Sequence, residues 1–136
     1  MSARTKARKR ALDVLFSAEL RGESPGQALE RVTTDGPAPT NDYTAVLVHG
    51  VAEHQIRIDQ LLSQYSQDWT LERMPTVDRN VLRLGVYELM WAEDVPDQVA
   101  VAEATTLVRE LSTDDSPSFV SGLLSAILRD KATLEV

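Results

Sequence analysis

Apolar residues along this chain recur at three- and four-residue steps in segment after segment, the spacing of amphipathic helices. The longest such stripe runs from Asn41 to about Tyr65. Tyr43, Leu47, Gly50, Val51, His54, Ile58, Leu61, Leu62 and Tyr65 fall on one helical face there. Asn41 is placed to cap the start, because its side-chain oxygen accepts one of the helix's unpaired amide N–H groups. Residues 76–92 repeat the pattern through Val77, Val81, Leu84, Gly85, Tyr87, Glu88 and Trp91, with apolar residues on more than one face. That predicts a central, largely buried helix. Val99 to Leu111 gives another, aligning Val101, Ala104, Thr105, Val108 and Leu111.

Stop and start signals frame the remaining elements. A first helix is predicted over roughly residues 4–21, with Leu12, Leu15, Phe16 and Leu20 inward and Gly22 as its stop. Ser24-Pro25 opens a short second helix to about Val32, and Thr33 to Thr40 reads as a loop from its Gly, Pro and Thr content. A short turn is predicted at Thr70–Met74, ending at Pro75. Ser116-Pro117 opens the last helix, a cap residue followed by a proline whose missing N–H is no loss in the first turn. Phe119, Val120, Leu123, Leu124, Ile127 and Leu128 form its apolar face. No alternating strand pattern competes. The expected fold is all-α, six to seven helices, with the loop at 33–40 separating an N-terminal helical part (1–40) from a C-terminal one (41–136) within a single domain.

Composition adds the partners. The 136 residues, 43% of them hydrophobic, suffice for one compact core without metals or disulfides, and there is no cysteine to require an oxidising compartment. No apolar run approaches the roughly 20 residues needed to span a bilayer, and no secretory pattern follows the basic N-terminus. A cytoplasmic protein without a membrane partner is expected. The formal net charge is −7, but it is unevenly spread. Residues 1–10 carry +5 (Arg4, Lys6, Arg8, Lys9 and Arg10), and the remaining residues carry −12. A molecule polarised in this way draws an anionic ligand to one end and a basic protein to the rest.

Catalytic signatures are absent: no cysteine nucleophile, phosphate loop, metal-ligand spacing or paired-acid motif appears, so neither enzymatic activity nor a cofactor is expected. His49 and His54 are five residues apart, not the four that would set two imidazoles on one metal-facing side of a helix. His54 lies on the apolar stripe and reads as a core or boundary residue, as do Trp69 and Trp91. Asp114-Asp115 precedes a helix start, where the helix dipole favours carboxylates. The basic run is different. Cations at a helix N-terminus oppose the positive end of the macrodipole, and a bound phosphate reverses that sign. The run also leads directly into Leu12-Asp13-Val14-Leu15-Phe16, so its charges sit on a folded helix. Phe16 reads either as a core residue or as a stacking partner for a base.

Three segments, in order, resemble the NusB family of bacterial transcription antitermination factors. They are Ala7-Arg8-Lys9-Arg10-Ala11-Leu12-Asp13-Val14-Leu15-Phe16, the stretch Pro75 to Leu89 (PTVDRNVLRLGVYEL), and Asp115-Ser116-Pro117-Ser118-Phe119-Val120-Ser121-Gly122-Leu123-Leu124. Asp94-Val95-Pro96 and Val101-Ala102-Glu103-Ala104 fall in register between the last two. The resemblance implies two roughly perpendicular helical bundles and no catalysis. It implies pairing with NusE, a ribosomal protein, and binding of the pair to single-stranded boxA RNA of nascent ribosomal RNA transcripts. Other Nus factors and RNA polymerase would complete a larger complex that suppresses termination. Family members occur as monomers and as homodimers. By matching position, the RNA contacts would be Arg4, Lys6, Arg8, Lys9 and Arg10, with Phe16 as the aromatic and Arg83, Asp115 and Phe119 from the later motifs. Asp78 would face NusE. Phe16 stands where a tyrosine is common and Ser121 where an asparagine is frequent, and Arg83 and Phe119 read equally as structural. A helical protein-interaction module without nucleic-acid binding is the alternative reading.

Overall fold

The computed structural model describes residues 2–36, 42–67 and 69–136, and among them the regular elements are six α-helices and two short 3-10 turns. The helices are α1 (Ala3–Arg21), α2 (Pro25–Asp35), α3 (Tyr43–Tyr65), α4 (Thr76–Trp91), α5 (Asp97–Leu111) and α6 (Ser116–Asp130). The 3-10 turns are Leu71–Arg73 and Lys131–Thr133. The chain divides into two compact units, residues 1–53 and 54–136, with the boundary inside α3.

In the first unit, local chemistry sets the helix ends. The Ser2 hydroxyl accepts from the Thr5 amide at 3.0 Å and caps α1. Gly22 closes it in the left-handed region (φ 67°), its N–H and that of Glu23 returning to the last carbonyls of the helix. Ser24 and Gln27 then form a reciprocal capping box at 3.1 and 2.9 Å, and Pro25 occupies the first turn of α2. Arg31 of α2 reaches Glu23 through Nε and Nη2 and Ser17 through Nη2, tying α2 to α1. The α2 helix outlasts its expected end at Val32: Thr33 to Asp35 are helical, and the Thr33 hydroxyl donates to the Leu29 carbonyl at 2.8 Å. That internal bond satisfies the hydroxyl without breaking the helix, which composition alone does not reveal. The rest of the expected loop and the Asn41 cap lie outside the described residues. Leu20, expected inward, is 67% exposed, because the buried face of α1 follows Ala7, Ala11, Leu15 and Ala18.

In the second unit, α4 is central, packed on both α5 and α6, which also pack on each other. Asn80, Val81, Leu82, Leu84, Gly85, Val86, Glu88 and Leu89 are all buried, covering more than one face as the sequence predicts. The close approach falls at Gly85. A Cβ there would lie 2.8 Å from Leu124 Cδ1 and 3.5 Å from the Ala104 Cβ, so a side chain at this position would force the buried Leu124 to shift. On α5 the buried residues are Ala100, Ala104, Leu107 and Val108, and Leu111, expected inward, is 40% exposed. His54 stacks on Trp91 with ring centroids 4.1 Å apart, beside Tyr87, at a half-buried boundary. No helix among the described residues is long and apolar enough to cross a membrane. Replacing Gly85 with Val should destabilise the protein by about 2 kcal/mol or more through overpacking against Leu124. Urea unfolding measures this, and unchanged stability would contradict the close approach.

Candidate nucleic-acid interface

The basic run forms the first two turns of α1, and helical geometry divides it into two sets. Lys6, Lys9, Arg10, Asp13 and Phe16 are linked by spacings of three, four and seven residues and share a side of the helix. Lys6 is exposed, while Lys9, Arg10 and Phe16 are half-buried. Arg4 and Arg8, four residues apart, lie on the other set and turn toward Tyr43, the first residue of α3. The Arg4 guanidinium carbon is 4.2 Å from the Tyr43 ring centroid and that of Arg8 is 5.8 Å away. Arg8 is 4% exposed, so it is enclosed within the fold rather than offered to a ligand. An arginine in a basic run looks alike in the sequence whether a distant aromatic covers it or not.

Asp13 tempers this cationic side. Partial burial holds its carboxyl above the ordinary value of 3.8, against the downward pull of Arg10 and Lys9. Phe16 sits at the edge of the same side, half-buried and therefore neither a full core residue nor a freely exposed ring.

The later motifs occupy the second unit. Arg83 binds Asp59 through two parallel contacts, Nε to Oδ1 at 2.9 Å and Nη2 to Oδ2 at 3.1 Å, and also donates to Asn80 Oδ1 at 3.2 Å. Its side chain is 12% exposed, so the planar fork is spent on joining α3 to α4. Asp78, expected to face a protein partner, is fully buried and has no surface to offer. Its Oδ2 accepts a 2.8 Å hydrogen bond from the Ser116 hydroxyl, and among the described residues its Oδ1 has no partner. Ser116 also receives the Thr113 amide at 3.3 Å and contacts Ser112. The Ser116-Pro117 pair predicts Ser116 as the cap of α6 with Pro117 first in the helix. Instead the cap position falls on Asp115, whose side chain makes no capping bond, and Ser116 is drawn inward by Asp78. Asp114 and Asp115 are left exposed.

Phe119 is half-buried and meets Trp69 edge-on, ring centroids 5.1 Å apart at 80°. The two rings border an open groove of about 500 Å³ with Tyr65, Gly122 and Ala126. The Ser66 hydroxyl donates to the Trp69 carbonyl, which fixes the backbone beneath the indole. Trp69 is 39% exposed, at the boundary rather than in the core, and sequence reasoning missed it as a candidate. Its position after the long helix, next to a polar stretch, was the available signal. Among the described residues there is no cluster of three side chains able to hold a metal.

These features define a class: an all-helical protein with a cationic helix face in one unit and an aromatic groove in the other. The chain belongs to the NusB family, whose sequence pattern matches residues 5–129. It is 65% identical over 134 residues to the transcription antitermination protein NusB of Nocardioides sp., covering 98% of this chain and 99% of that one. The NusB of Thermobifida fusca is 51% identical over 134 residues, covering 98% and 94%. Among solved structures, T. maritima NusB superposes with a TM-score of 0.83 at 32% identity, over 98% of this chain and 99% of that one. A crystal structure of the antitermination factors NusB and NusE in complex with double-stranded RNA superposes with a TM-score of 0.82 at 31% identity, over 95% and 98%.

The Asp78–Ser116 contact is open to a direct check. Ser116→Ala should cost roughly 1–3 kcal/mol by leaving a buried carboxyl without its donor. Combined with Asp78→Ala, the loss should be smaller than the sum, as a double-mutant cycle in urea reads it. Additive losses would mean the two groups do not interact.

Proposed function

We propose that this protein is a transcription antitermination factor that acts by binding and not by catalysis, an adaptor between RNA and the ribosomal protein NusE. The observation that carries this reading is the cationic side of α1, built by Lys6, Lys9 and Arg10 on a folded helix, in a chain whose structural relative is a NusB–NusE complex on RNA. Residues 1–136 act as one NusB-like domain in the cytoplasm, and the reading holds for a monomer and a homodimer alike. The RNA is the boxA element of nascent ribosomal RNA transcripts, taken as a single strand, and other Nus factors and RNA polymerase complete the assembly.

Each side chain has a distinct part in this reading. Lys6, Lys9, Arg10 and Arg4 meet phosphates, while Arg8, enclosed beside Tyr43, supports them from within. Phe16 at the edge of the cationic side stacks a base, and Phe119 and Trp69 offer a second aromatic contact, each stack being worth on the order of 1–3 kcal/mol. Asp115, exposed at the start of α6, fits a hydrogen bond to a base or sugar. Arg83 contributes by holding α3 to α4. The basic NusE meets exposed carboxyl groups of the acidic part of the chain, and buried Asp78 acts only through the structure around it.

Fluorescence anisotropy of labelled single-stranded boxA RNA, with and without NusE, tests the whole reading. Three to four phosphate contacts predict that log affinity falls with log salt at a slope of about −2 to −3, with tighter binding when NusE is present. Absence of affinity in both cases would leave the protein-interaction module as the better account, and preference for a double-stranded RNA would overturn the single-strand assignment.

Asp13 supplies a pH test with a definite sign. Because its folded pKa is raised, its contribution to stability is present below the unfolded value and is lost as pH rises through the folded one. Protonation likewise removes a negative charge from the cationic side. RNA affinity should therefore rise as pH falls through that range. Asp13→Asn should tighten binding at pH 7 and flatten the rise. An Asn variant that binds more weakly would contradict the placement of Asp13 on the RNA-facing side.

A further inference from the structure

We propose that Tyr43 is a positioning residue of the RNA-binding face, its ring holding the Arg4 guanidinium in the orientation that meets phosphate. This rests on the RNA-binding reading above. Neither the basic run nor the family motifs single out Tyr43, which the hydrophobic pattern assigns simply to the apolar stripe of α3.

Several contacts within the first unit support the role. Arg4 and Arg8 lie 4.2 and 5.8 Å from the centroid of the same ring, both within the roughly 6 Å reach of a cation–π contact. Tyr43 itself is 8% exposed, so its position is set by packing. The hydroxyl of the next residue, Thr44, donates to the Ala7 carbonyl at 3.2 Å, fastening the start of α3 to α1 between the two arginines. The ring is therefore a fixed surface, not a mobile one.

The chemistry of guanidinium explains why a fixed ring would matter. Stacking uses the π face of the ion, whereas its N–H donors lie in its plane, so contact with Tyr43 does not compete with hydrogen bonds to phosphate oxygens. An arginine already confined to one orientation loses less rotamer freedom when phosphate arrives. The two arginines also divide the work. Arg8, enclosed, adds positive potential from within, and Arg4, half-buried, is the one with surface to present.

A double-mutant cycle separates positioning from mere packing. Anisotropy with labelled single-stranded boxA RNA and NusE would be measured for the wild type, Arg4→Ala, Tyr43→Leu and the double variant, with circular dichroism melting to correct for unfolded protein. Tyr43→Leu should weaken binding roughly 3- to 10-fold and should add almost nothing in the Arg4→Ala background. Tyr43→Phe, which keeps the ring, should restore most of the affinity lost in Tyr43→Leu. In the free wild-type protein, the Arg4 Hε resonance should show an upfield ring-current shift, a readout independent of whether Tyr43→Leu folds. An equal loss from Tyr43→Leu in both backgrounds, or no ring-current shift, overturns the positioning role while RNA binding stands. A wild type without RNA affinity overturns the RNA reading itself, and this role with it.

Discussion

The three packed helices of the second unit, α4, α5 and α6, meet closely at Gly85. The Leu124 methyl group of α6 comes within 2.8 Å of where a side chain at position 85 would begin, with the Ala104 Cβ of α5 at 3.5 Å. At that separation three helices share one dense core, and sliding one of them would open a void or drive side chains into each other. The start of α6 is held to α4 by a separate contact. Ser116 meets the buried Asp78 at 2.8 Å, and Phe119, one turn further on, is carried to the side of Trp69. The aromatic groove thus follows from packing several residues away from it.

The first unit solves a different problem, that of gathering five cations on two turns of helix. Like charges so close repel, and they also oppose the helix dipole. Two of the five are turned onto one aromatic ring, whose negative face offsets part of that repulsion, and Asp13 is placed within reach of Lys9 and Arg10. Of the two, only Arg8 is enclosed, so the cations left with surface to present are fewer but better ordered. For a protein that binds a phosphate chain, order counts as well as charge, because flexible cations lose more freedom on binding.

Membership of the NusB family was legible from three motifs in order, and so was the all-helical fold. The residues proposed for the interface were legible only in part. Arg83 and Asp78 fall within a recognisable motif, yet one is committed to Asp59 and the other is wholly buried. A motif marks positions that matter to a family without saying whether they matter through a ligand or through the core. Trp69 and Tyr43 carry no such mark for the opposite reason: a lone aromatic reads as packing until its neighbours are known.

The sequence by itself determined the helices, most of their ends and the polarised charge. Those depend on local chemistry: apolar spacing, the Ser24–Gln27 capping box, the left-handed Gly22 and the sign of each side chain. Only the tertiary structure decided which cations face outward and that Leu20 and Leu111 are exposed. It also placed Asp78 inside and Trp69 at the edge of a groove. The physical reason is common to all of these. Whether a side chain is covered depends on what arrives from elsewhere in the chain, and a helical period names a face without naming what packs against it.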